Sequence, residues 1–222
     1  MNDVKKKLDD IESMIENAVW DAAADDDIES ELQHYREAES LLMSLTNLNG
    51  TEEKERKRIL AYCLMRIDES LNNLGQDEGT LERANESLRI AIESEDSVQI
   101  ARSRLFLGIR LLNSGHVGEA ESHFSDIIKG GLESENGDMK QVVGWTLLVR
   151  ANILKGKSLY DQALHVAKDA VAILSSIDNY AGLARTYSFL SSLYDAQGEQ
   201  GQARKCKDMS EEFDRKSRAE RK

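Results

Sequence analysis

Four histidines, two cysteines and a run of three aspartates are the residues whose types could carry chemistry in this chain. His34, His116, His123 and His165 would serve as metal ligands or proton carriers if carboxylates or thiolates converged on them. Only His116 and His123 lie close in sequence, seven residues apart, one near a helix start and one within the helix. They do not read as a metal site. Cys63 and Cys206 sit far apart, each inside a helical pattern, and read as reduced thiols rather than a disulfide framework. Asp25-Asp26-Asp27 opens like a calcium loop, but the central glycine is missing and Arg36 stands where the closing glutamate would be. Negative charge at a helix start needs no ligand. The sequence has no phosphate-binding glycine loop, no HExxH and no CxxC. The expectation is a protein that is not an enzyme and holds no cofactor and no metal.

Without a catalytic centre, function falls to surfaces, and these depend on the elements beneath them. Proline is absent from all 222 residues, where average usage would give about eleven. Proline breaks helix interiors, so its absence suits a chain that is helical nearly throughout. Charged residues make up 32% and aromatic ones 5%, a mixture that favours helix over strand. The formal net charge is −12, and residues 1–100 hold 25 acids against 11 bases. Such a surface repels phosphate backbones and anionic lipid, so neither nucleic acid nor membrane is an expected partner. No apolar run is long enough to span a bilayer, and a cytoplasmic location is expected.

Apolar residues recur at steps of three and four from the start. Val4, Leu8, Ile11, Ile15, Ala18 and Ala22 form one stripe; Ile28, Leu32, Tyr35, Ala38, Leu42 and Leu45 form the next. Asp26 with Glu29 is the expected capping box between them. Further helices are predicted near 52–74, 80–95, 97–113, 117–129, 139–155, 160–176 and 180–196, and from about 200 onward. Asp138 with Gln141 is the expected cap of the helix at 139. Short turns bearing Gly, Asn or Asp separate the segments, which predicts five antiparallel hairpins.

The hairpins repeat one another. One reads Arg104-x2-Leu107-Gly108-x2-Leu111, then Gly115, then Ala120-x3-Phe124. The next offers Leu147, Ala151, Leu154, Tyr160 and Ala163, and a third Tyr187, Leu190, Ser191, Tyr194, Gly198 and Ala203. This pattern resembles the tetratricopeptide repeat in a longer variety, since the alanines are 43 and 40 residues apart. The family's later proline is missing, and Arg104 stands where a large aromatic is common. The resemblance implies an all-α fold of about ten helices, with antiparallel hairpins stacked into a right-handed solenoid. Residues 1–50 read as an N-terminal hairpin with weak repeat similarity, 51–215 as the repeats, and 216–222 as a charged tail expected to fray. Met209 and Phe213 are expected to cap the last hairpin.

The resemblance further implies a concave face lined by each hairpin's first helix, where a protein or peptide partner is held. Aligning the units places Arg102, Leu105, Ile109 and Leu112 on it, then Trp145, Leu148, Asn152 and Lys155, then Arg185, Ser188, Ser192 and Asp195. The candidate partner-binding residues are Arg102, Trp145, Asn152, Lys155 and Arg185, because Trp and Arg often anchor interfaces. The four leucines and isoleucines fit a core equally well. Chaperone-binding relatives carry a lysine four residues before the asparagine, where Leu148 stands, so chaperone tails are not the expected ligand. The expected function is a protein-interaction module or adaptor. A peptide- or ligand-sensing regulator and a self-associating helical bundle are the alternatives, so a homo-oligomer stays open.

Overall fold

The computed structural model describes residues 3–25 and 27–220. These form ten helices: α1 (Asp3–Asp25), α2 (Ile28–Ser44), α3 (Gly50–Asn73), α4 (Thr80–Ser94), α5 (Ser97–Asn113), α6 (Val117–Gly131), α7 (Gly137–Gly156), α8 (Tyr160–Ser175), α9 (Tyr180–Ala196) and α10 (Gln200–Glu220). No strand occurs among the described residues. The all-α expectation and the helix count hold.

Side chains one residue ahead of the helix cap the starts of α2, α3, α5, α7 and α9. Asn49 accepts from the amides of Thr51 and Glu52 while Glu52 reaches back to the Asn49 amide, a complete capping box. Asp96 caps α5 by accepting from the Gln99 amide, and Asn179 caps α9 by accepting from the Gly182 amide. Two expected caps differ. Asp27, accepting from Ser30 at 3.0 Å, caps α2, while Asp26 lies outside the described residues. Asn136, accepting from Met139, caps α7, so that helix begins before Asp138 and Asp138 falls within its first turn.

Helix stops carry the repeat. Gly75, Gly115, Ser158 and Gly198 all adopt the left-handed conformation, at intervals of 40, 43 and 40 residues. After each, the next amide reaches back five residues, as in His116 to the Leu111 carbonyl and Leu159 to the Leu154 carbonyl. Ser158 holds φ +60° without glycine's freedom.

The chain divides into two compact units, Met1–Val117 and Gly118–Lys222. In the first, each of α1 to α4 packs on its successor, and α1, α3 and α5 touch in series. Leu8, Ile15, Tyr35, Leu42, Ile59 and Ala91 belong to one continuous core, so the first hairpin shares its apolar interior with α3 and α4. Polar contacts are also buried there. Asp68 of α3 is fully enclosed; it accepts from Thr80 and Arg83 of α4 and from Arg110 of α5, each at 2.8 Å. Glu31 of α2 accepts from Tyr35, from Arg66 of α3 and from Ser70. Burial and the Glu31 carboxylate push the Tyr35 hydroxyl well above its usual range.

In the second unit α7 packs on α8, α8 on α9, α9 on α10, and α7 touches α9. Ala151, Ala163, Ala167 and Ala170 are fully buried, small residues that let helices approach closely. Leu174, also fully buried, drives between two glycines on different helices. A Cβ at Gly144 would stand 2.6 Å from its Cδ2, and one at Gly182 would stand 3.0 Å away. On α10, Ala203, Cys206 and Ser217 are buried. Phe213 lies between Tyr180 and Tyr187, ring centres 6.0 and 5.6 Å away, and so caps the last hairpin as expected; Met209 is half-buried.

Candidate ligand-binding face

The residues that could do chemistry stay dispersed. His34 and His116 are exposed, His123 is half-buried, and His165 is exposed beside Asp169 at 3.1 Å. No group of three or more His, Cys, Asp or Glu side chains converges to hold a metal ion among the described residues. Cys63 and Cys206 are both buried and unbonded to each other. Burial pushes the Cys63 thiol up to about 12 and raises that of Cys206, so neither is a ready nucleophile. Among the described residues no helix is long and apolar enough to cross a membrane.

The register of α7 and α9 separates core from surface. On α7, Val142, Val143, Thr146, Leu147 and Ala151 are buried; Trp145, Leu148 and Lys155 are half-buried and Asn152 is exposed. On α9, Leu183, Thr186, Leu190 and Leu193 are buried, whereas Arg185, Ser188 and Asp195 are exposed and Ser192 is half-buried. The three-and-four periodicity thus turns the aligned face positions out of the core. Leu148, and Leu105, Ile109 and Leu112 on α5, are likewise only half-buried, so none is a full core residue.

Two cations bridge α7 and α9. The Arg185 guanidinium lies 5.2 Å from the centre of the Trp145 ring. The Lys155 ammonium donates to Ser192 Oγ at 2.9 Å and sits 5.6 Å from the centre of the Phe189 ring. Ring faces carry negative potential, so each pair holds its cation in place without neutralising it. Among the described residues neither cation has a carboxylate within ion-pair distance, and neither Arg185 nor Asn152 makes a side-chain hydrogen bond. By contrast Arg150, on the same helix as Trp145, meets Glu121 at 3.2 Å.

The structure therefore joins Trp145 with Arg185 and Lys155 with Ser192, and leaves Asn152 exposed on the helix between them. Arg102 is half-buried on α5, in the first unit, where its charge acts on Tyr62 of α3. Phe189 was missed from the sequence; its signal was the spacing of four from Arg185, which puts both on one side of α9.

The sequence matches no protein-family profile and no curated protein. Solved structures do share the fold. The Rap conjugation gene regulator of plasmid pLS20, in complex with the Phr* peptide, has a TM-score of 0.67 and 17% identity over 88% of this chain and 51% of its own. The chain thus spans about half the length of that regulator. A putative kinesin light chain of Podospora anserina with TPR-like repeats has a TM-score of 0.60 and 12% identity, covering 95% of this chain and 97% of its own. The apo quorum sensor NprR from B. thuringiensis has a TM-score of 0.58 and 12% identity, over 90% and 64%. At these identities the likeness is one of fold.

Proposed function

We propose that this chain, with the tetratricopeptide-like fold, is a non-enzymatic interaction module that holds a peptide or a partner's helix of apolar and acidic character on the α7–α9 face. The observation that carries the reading is the pair of ring-held, uncompensated cations, Arg185 over Trp145 and Lys155 over Phe189. A protein of net charge −12 has acids to spare, yet among the described residues none lies within ion-pair distance of these two. An indole and a guanidinium are also the side chains that most often dominate binding energy. Asn152, exposed between them, offers both a donor and an acceptor. Arg102, on the first unit's own first-helix face, is proposed as a separate partner contact there. The two unpaired thiols fit a cytoplasmic setting.

A second reading, a peptide-sensing regulator, is favoured by two of the similar structures: a Rap regulator in complex with the Phr* peptide, and the quorum sensor NprR. The two readings part on linkage. In a sensor, peptide occupancy changes the affinity for a second partner; in an adaptor it does not.

The test uses Trp145 as reporter. With Trp20 replaced by Phe, Trp145 is the sole indole of the chain. Peptides selected on the wild-type protein from a random display library should change its emission saturably. Tight binding with unaltered emission would move the site elsewhere, with the acidic first hundred residues the next candidate.

A further inference from the structure

We infer that Arg185 is the specificity-determining residue of the α7–α9 face, receiving one ligand carboxylate through two parallel N–H groups, while Lys155 contributes charge alone; this rests on the reading above. A guanidinium carries five N–H groups in a planar fork. Among the described residues none takes a hydrogen bond from that of Arg185. The Trp145 ring beneath it fixes where the charge sits but offers no oxygen to the fork. The chain itself shows what such a fork does when an acid is in reach. Arg56 holds Glu53 through Nε and Nη2 at 2.9 and 2.7 Å, and Arg58 holds Glu55 through the same atoms at 3.0 and 2.8 Å. Arg89 holds Glu86 likewise, at 2.8 and 2.6 Å. Two parallel bonds fix the orientation of a planar acid as well as its charge. At Arg185, exposed on α9, that acid comes from the ligand.

Lys155 is built differently. Its ammonium has three N–H groups, and one is spent on Ser192 Oγ at 2.9 Å. The Ser192 hydroxyl donates its own proton to the Phe189 carbonyl at 2.7 Å, so toward Lys155 it only accepts. The Phe189 ring stands 5.6 Å from the ammonium, so one turn of α9 supplies both the acceptor and the ring that hold it. What Lys155 then offers a ligand is a compact charge with no preferred plane. An arginine in its place would supply the same charge, since a guanidinium also donates to a hydroxyl and lies over a ring. The reverse exchange is not equivalent. Lysine in place of Arg185 keeps the charge and loses the fork.

The experiment therefore exchanges the two cations without changing charge. Decapeptides selected on the wild-type full chain from a random display library are titrated by calorimetry into wild type, R185K, K155R and K155E/R185E. R185K should bind about tenfold more weakly. That loss should be the same at low salt and at about 1 M salt, because screening acts alike on two side chains of equal charge. K155R should stay within about threefold of wild type. Among the acids of a selected peptide, exchanged one at a time for the matching amide, one should cost about tenfold in wild type and little in R185K. Equal losses in R185K and K155R, an R185K loss that vanishes at high salt, or an Arg185 contribution coupled to no single ligand acid would overturn the inference and leave the binding face standing. Absence of any enriched peptide, or binding indifferent to K155E/R185E, would overturn the inference and the face together.

Discussion

Gly144→Ala tests the packing that holds α7 and α9 in register beneath the face. The added Cβ would lie 2.6 Å from Leu174 Cδ2 and 2.7 Å from Leu174 Cγ. Ordinary carbon contacts are about 3.5–4.0 Å, so something must move by about 1 Å. Leu174 is fully buried, with a second glycine, Gly182, at its other side, and has little room to yield. Overpacking of this kind costs about 1–3 kcal/mol. Alanine regains about 1 kcal/mol of helix propensity in α7. The net expectation is a destabilisation of about 1 kcal/mol, up to about 2. Urea unfolding followed by Trp145 fluorescence, in the Trp20→Phe background, reads it from a neighbouring side chain. Leu174→Ala alone should cost about 2–5 kcal/mol. In the double variant the new methyl occupies part of the vacated space, so the combined cost should fall below the sum by about 1 kcal/mol or more. A stabilised Gly144→Ala, or strictly additive costs, would refute the glycine slot.

Other outcomes follow from the same structure. Asp68→Ala should cost about 3–5 kcal/mol in a denaturant melt, because it strands the nearly buried Arg110 guanidinium; a cost near that of a surface substitution would contradict the cluster. Ser158→Gly should raise stability by about 0.5–1 kcal/mol, since φ +60° disfavours a side chain there. The Cys63 thiol is raised from 9.0 to about 12 by burial, so the stability linked to its protonated form is whole below about pH 9 and is lost as pH climbs toward 12. Melts of wild type and Cys63→Ala between pH 8 and pH 11 (about the usable range) should converge in slope only below pH 9; identical slopes throughout would count against it.

The helices were legible because Leu8, Ile11, Ile15 and their counterparts mark one face without interruption. The caps were less so. Asp25 to Asp27, and Asn136 with Asp138, offer several side chains that could each accept from the first turn, and the path of the incoming chain chooses among them. The buried charges escaped notice. Asp68 lies beside Ile67 and three residues before Leu71, an acid on an apolar stripe, but its partners Thr80, Arg83 and Arg110 come from two other helices. On the α7–α9 face the aligned positions do turn outward. What spacing within one helix did not reveal is that Arg185 would find Trp145, or that Lys155 would find Phe189 and Ser192, since both contacts cross between helices.

The most direct test of the account is calorimetric titration of one selected acidic peptide into wild-type protein and into K155E/R185E, at low and at high salt, with thermal melts of both proteins alongside. Both residues are at least partly exposed, so the melts should agree to within about 0.5 kcal/mol. The account predicts that the reversal weakens binding about tenfold at low salt, and that the loss shrinks at about 1 M salt, where the screening length falls to about 3 Å. Unchanged affinity in the double variant, with its fold intact, would contradict the account.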